Sequence, residues 1–94
     1  MAAISWLPKA RGDLKRLYEF ILPHSSEAAS RAIDVILENV EHLGVFPEAG
    51  QLWEPDINFR ELPVRFGARG YVIRYRLFED KVIIARVWHS LEDS

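Results

Sequence analysis

The stretch Gly70-Tyr71-Val72-Ile73-Arg74-Tyr75-Arg76-Leu77-Phe78-Glu79-Asp80-Lys81-Val82-Ile83-Ile84-Ala85-Arg86-Val87-Trp88-His89 decides the fold of this chain. β-Branched and aromatic residues dominate 71–78 and 82–88, and only a charged turn around Glu79-Asp80 separates them, which predicts two strands closed into a tight hairpin. Alternation along the first strand puts Tyr71, Ile73, Tyr75 and Leu77 on one face, the core side, and Val72, Arg74, Arg76 and Phe78 on the other. On the partner strand Ile83, Ala85 and Val87 share one face, and Val82, Ile84, Arg86 and Trp88 the opposite one. Turn length decides how the two sets join. A three-residue turn, Glu79 to Lys81, sets Arg86 beside Arg74, whereas a two-residue turn sets it opposite Ile73, where a guanidinium is costly to bury. The three-residue turn is the expectation, leaving a second face on which three arginines stand among Val72, Phe78, Ile84 and Trp88.

Upstream of the hairpin, residues 58–65 read as a further strand, and Pro63 within it marks an edge or a bulge because it cannot donate a ladder hydrogen bond. Gly67-Ala68-Arg69-Gly70 turns the chain into the hairpin. Residues 45–57 contain Pro47, Gly50 and Pro55 and break every periodicity, so they form a loop expected to be held by Phe46, Leu52 and Trp53. Before it, Ala29, Ala32, Ile33, Ile36, Leu37, Val40 and Leu43 make the most regular helical stripe of the chain, capped by Ser25 or Ser26 and stopped by Gly44 and Pro47. A first helix follows Pro8, with Ala10, Leu14, Leu17, Tyr18 and Ile21 on its apolar side and Arg11, Asp13, Lys15, Arg16 and Glu19 on the solvent side. Residues 2–7 read as a short strand. The expected architecture is α+β: an N-terminal strand, an antiparallel helical hairpin, then a three-stranded antiparallel meander, with the helices packed on one sheet face and residues 1–94 forming one domain.

Composition narrows the chemistry. With 49% hydrophobic and 28% charged residues the composition indicates neither disorder nor a membrane span. No apolar run approaches the ~20 residues of a spanning helix, and no signal peptide opens the chain, so a cytoplasmic location is expected. The chain has no cysteine, and His24, His42 and His89 lack ligand spacing, so neither metal nor cofactor is expected. Charge is uneven: residues 1–57 carry five basic against nine acidic side chains, residues 58–94 seven against five. Six of those seven are Arg, suited to planar contacts with carboxylate or phosphate. An isoelectric point near 5.9 disfavours affinity built on phosphate neutralisation and suits an acidic protein partner at least as well.

Asp13-Leu14 in the first helix, Ala28-Ala29 opening the second, Leu43…Phe46-Pro47…Gly50 after it, Arg60…Leu62, Gly70 to Arg76, and Arg86-Val87-Trp88-His89 together resemble the RelE/ParE superfamily of bacterial type II toxins. The resemblance covers nearly the whole chain, and the Arg-Val-Trp-His ending is similar to the ParE branch. It implies a toxin associated with plasmid stabilisation and blocked by a ParD-like or similar antitoxin, with DNA gyrase as target and no sequence-specific nucleic-acid binding. RelE-like members instead cleave messenger RNA on the ribosome, using an Arg in a motif resembling Tyr-Arg-Leu-Val-Tyr. Here Val72 stands at that Arg position, and Ser90-Leu91-Glu92-Asp93-Ser94 replaces the basic and aromatic ending of the nucleases. Phosphoryl transfer needs cationic stabilisation and a positioned proton donor or acceptor. Val72 offers neither, so a non-enzymatic gyrase inhibitor is expected. A ribosome-dependent endoribonuclease using Arg74, Arg76, Arg86 and His89, or a domain retaining only antitoxin binding, is the alternative.

The candidate antitoxin- or target-binding residues are Arg60, Arg65, Arg74, Arg76, Arg86 and Trp88. The competing reading is that the arginines are solvated charges paired across strands with Glu61, Glu79 or Asp80. Trp88 is either core filler or an exposed interface anchor. Tyr71 and Tyr75 fall on the core side by parity.

Overall fold

The computed structural model describes residues 1–92; Asp93 and Ser94, which end the acidic tail, lie outside the described residues. Strand β1 (Ala3–Trp6) leads into helix α1 (Pro8–Ile21), then α2 (Ser26–Val45), β2 (Gln51–Leu52), β3 (Phe59–Phe66), β4 (Arg69–Phe78) and β5 (Lys81–His89). The strands form one mixed sheet in the order β1-β5-β4-β3-β2, with β1 parallel to β5 and every other neighbouring pair antiparallel. This is the expected α+β layout, with one further strand: β2 arises inside the predicted loop and is too short to carry a period-2 signal.

Local chemistry sets the helix ends. Pro8 occupies the first turn of α1, where a missing N–H leaves nothing unpaired. The Ser25 hydroxyl accepts the Ala28 N–H at 3.0 Å and caps α2. From α2, Ala29, Ala32, Ile36, Val40 and Leu43 are buried, and the last four share a core with Leu17 of α1 and with Ile73, Tyr75, Val82, Ile84 and Val87 of the sheet. Leu37, counted in the apolar stripe, lies at the surface instead.

The hairpin register differs from expectation in a way that preserves its main consequence. Phe78 pairs with Lys81, so the turn is the two residues Glu79 and Asp80, not three. Glu79 has φ of 56°, the positive value that a turn of type II′ needs at its first central position. Tyr75 then faces Ile84 while Arg74 faces Arg86, because β5 carries an extra residue, Ala85, in a bulge. The bulge switches parity. Val82 and Ile84 before it and Val87 after it are all buried, whereas Ile83 lies opposite Arg76 among the arginines. The expected placement of Ile83 on the core side and of Val82 and Ile84 among the arginines is therefore reversed, while the pairing of Arg86 with Arg74 stands.

At the other hairpin Phe66 pairs with Arg69 across Gly67 and Ala68, so Arg69 and Gly70 belong to the strand rather than to the turn. A Cβ on Gly70 would run into the Val64 carbonyl. On β3 the Phe59 carbonyl accepts the Trp53 N–H, so odd-numbered residues face β2. β2 covers only Arg60 and Glu61, and Pro63 presents its missing N–H to the uncovered edge beyond.

Candidate functional site

The sheet face opposite the helices carries Phe59 and Glu61 of β3, Arg74 and Arg76 of β4, and Arg86 and Trp88 of β5. Arg74 donates from Nε and Nη2 to one Glu61 oxygen at 2.9 and 2.7 Å. Its guanidinium lies between two indoles, 3.8 Å from the Trp53 ring centre and 4.8 Å from that of Trp88. Trp88 is consequently only 7% exposed. The aromatic weighed as an exposed anchor is on the arginine face and buried within it.

Arg76 has a different setting. Its guanidinium lies 5.8 Å from the Phe59 ring centre and 5.6 Å from that of Phe78. Its buried Nε has no hydrogen-bond partner among the described residues.

Arg86 leaves this face around the sheet edge. β1 ends at Trp6, so β5 beyond Ile84 has no neighbouring strand on that side, and α1 supplies side chains to its exposed backbone. Asp13 accepts the Val87 N–H at 2.8 Å and two Arg86 nitrogens at 2.8 and 3.2 Å. Arg16 touches Asp13 and the Val87 carbonyl, each at 3.4 Å, and pairs with Glu92 at 2.6 Å. Glu92 in turn accepts the His89 N–H at 3.0 Å. Asp13 is 5% exposed, against its assignment to the solvent side of the helix. Its spacing of three from Ala10 and four from Leu17 was the available signal. Burial pushes its carboxyl up, but the Arg86 hydrogen bond, the Val87 N–H, the charge of Arg86 and the Arg16 hydrogen bond outweigh this and hold it below its ordinary value. Glu92 is likewise held low: desolvation is outweighed by the His89 N–H and Arg16.

Arg60 and Arg65 stand apart from the cluster. Arg60 donates to the Gly50 carbonyl at 2.8 Å and the Glu48 carbonyl at 3.4 Å, and Arg65 is exposed beside the open edge of β3. The buried Tyr75 hydroxyl donates to the Pro47 carbonyl at 2.8 Å and accepts the Gly50 N–H at 2.9 Å. These bonds pin the 46–50 loop; Phe46 and Leu52, expected to hold it by packing, are exposed. A Cβ on Gly50 would stand 2.8 Å from the Tyr75 hydroxyl, so glycine is required by the close approach. His89 lies on the helix side of the sheet, edge-on to Tyr71 with ring centres 5.5 Å apart. It borders a groove of about 780 Å³ lined chiefly by Leu17, Phe20, Ile21, Phe66, Tyr71 and Leu91.

The arrangement therefore brings Arg74, Arg76, Arg86 and Trp88 onto or beside one face and leaves Arg60, Arg65 and His89 away from it. Sequence reading named Asp13, Arg16 and Glu92 but assigned none of them a place at this site. Among the described residues no helix is long and apolar enough to cross a membrane.

Comparison with known proteins places this geometry. The family model described as ParE toxin of type II toxin–antitoxin system, parDE, matches residues 4–94. Toxin RelE3 of Caulobacter vibrioides is 45% identical over 92 residues, 98% of each chain. Toxin RelE1 of the same organism is 33% identical over 84 residues, 89% of this chain and 88% of the relative. Among solved structures, a chain of the chromosomal ParDE toxin–antitoxin system from P. aeruginosa superposes with a TM-score of 0.77 at 24% identity, covering 95% of this chain and 96% of the other.

Proposed function

This chain belongs to the ParE toxin family, within the RelE/ParE superfamily of type II toxin–antitoxin systems, and from that premise we propose that it is a non-enzymatic inhibitor of DNA gyrase, neutralised by a cognate antitoxin. The observation that carries the choice of target is that two of the three sheet arginines a nuclease would need are neutralised within the chain, which leaves Arg76 alone on that face. Arg74 is paired with Glu61, Arg86 with Asp13, and His89 lies on the far side of the sheet. A phosphate entering this face meets no cluster of available donors, and Val72 adds none. The antitoxin would seat apolar side chains in the groove beside α1 and offer carboxylates to the arginines of the sheet.

The test is a supercoiling assay with purified gyrase, scored for linear DNA after protein denaturation. Accumulation of cleaved complex that equimolar antitoxin abolishes is the expected result. Unimpaired supercoiling at a large molar excess of folded protein would sink the reading. The names of two relatives, Toxin RelE3 and Toxin RelE1, favour a second reading, ribosome-dependent cleavage of messenger RNA. Codon-specific cuts in a translating extract would establish it.

A further inference from the structure

Two arginines two residues apart on β4 each lie between two aromatic rings, Arg74 at 3.8 and 4.8 Å and Arg76 more loosely at 5.8 and 5.6 Å, and they differ in their ion pairing. Arg74 has its carboxylate, Glu61, within the chain. Arg76 has none among the described residues: Phe59 and Phe78 flank it, and its Nε is buried without an acceptor. We infer that Arg76, between Phe59 and Phe78, is a preformed receptor for one carboxylate side chain of the antitoxin. The inference rests on the antitoxin reading above and deepens it by selecting one arginine from six candidate residues.

Three features fit that occupant. The β4 ladder and the two rings fix the side chain, so less rotamer freedom is lost on binding than for an exposed arginine. The rings would exclude water from a carboxylate lying between them, which strengthens a charge-assisted hydrogen bond to the terminal nitrogens. Phe78 is 51% exposed, giving apolar surface beside the site for the residue next to that carboxylate. A nucleic acid is a poorer occupant, because Glu79 and Asp80 follow Phe78, and Glu54 and Asp56 precede Phe59. One carboxylate can avoid these four charges; a phosphate chain would run past them. Of the other arginines, Arg60 is spent on loop carbonyls and Arg86 on Asp13.

The experiment uses the full chain and the protein encoded beside it as antitoxin, with titration calorimetry at fixed salt. Arg76→Gln should weaken binding at least about thirtyfold, as loss of one partner of a desolvated pair does. Arg76→Lys should recover part of that loss, since it restores the charge without the planar fork. Each antitoxin Asp or Glu is then changed singly to its amide. One of them should match the Arg76→Gln loss and add nothing to it in the double variant. Thermal melts of both Arg76 variants within a few degrees of the parent would show the fold intact. Binding by folded Arg76→Gln within twofold of the parent overturns the inference alone. Failure of the unaltered chain to bind its neighbour removes the antitoxin reading and the inference together.

Discussion

Asp13 and Glu61 each hold an arginine of the sheet at under 3 Å, and the resemblance ends there. Glu61 lies across one strand pair from Arg74, on an uncovered face, and is half-buried. Asp13 comes from α1, is nearly buried, and accepts the Val87 N–H as well as the Arg86 and Arg16 guanidinium groups. The first is a cross-strand ion pair, of the kind that contributes tenths of a kcal/mol to about 1. The second replaces a missing strand: where β1 stops, a carboxylate and a guanidinium take up the backbone groups of β5 that another chain could otherwise pair with. An ion pair matters to a fold in proportion to what else loses its partner when it goes.

Asp13→Ala should cost about 3 kcal/mol, because it leaves a buried N–H and the Arg86 guanidinium unpaired, with the sum discounted for the partial exposure of Arg86. For a chain of this size that lowers the melting temperature by about 15 °C. A thermal melt within 3 °C of the parent would erase the contrast between the two sites. The same site sets an acid limb. A carboxyl held below its unfolded value contributes stability that is fully present above about pH 4 and is lost as pH falls through the folded value. The parent should therefore lose stability below about pH 4, and its margin over Asp13→Asn should narrow along that limb in melts from pH 6 to pH 3. A constant margin would assign the stabilisation to shape rather than charge.

Glu61→Gln should cost no more than about 1 kcal/mol, since the two indoles still hold Arg74. Denaturant titrations in low and 1 M salt should show that cost shrinking as salt rises, which a nearly buried pair resists. The smallest effect belongs to Glu92→Gln, about 0.5 kcal/mol or less, because Glu92 and Arg16 are both substantially solvated and an amide can still accept the His89 N–H. Chemical denaturation should place this variant nearest the parent; a loss matching that of Asp13→Ala would mean that Glu92, not Asp13, anchors the edge.

Periodicity made the two helices and three long strands legible, and parity put Tyr71, Ile73 and Tyr75 in the core. Parity could not see Ala85, because a bulge adds one residue without changing composition, and so Val82 and Ile84 were assigned to the wrong face. That Arg86 still meets Arg74 reflects two errors of one residue, turn and bulge, that cancel. The candidate arginines were visible as residue types, but their states were not. Arg86 is defined by Asp13, 73 residues earlier, and Arg74 by a tryptophan from a loop with no periodic signal. Asp13 itself was hidden by the rule that charged helical positions face water, although its spacing placed it among apolar neighbours.

The strand order has a consequence in time as well as in space. β5 comes after every other described element yet lies inside the sheet, between β4 and β1. During synthesis β1 and both helices emerge while their principal partner has not yet been made, and closing the β1–β5 pair spans nearly the whole described chain. The apolar stripe of α2 and the bare strand β1 must wait, exposed, until β5 arrives. Assembly thereby waits on β5, the one strand that completes the core, the sheet and the Asp13 edge together.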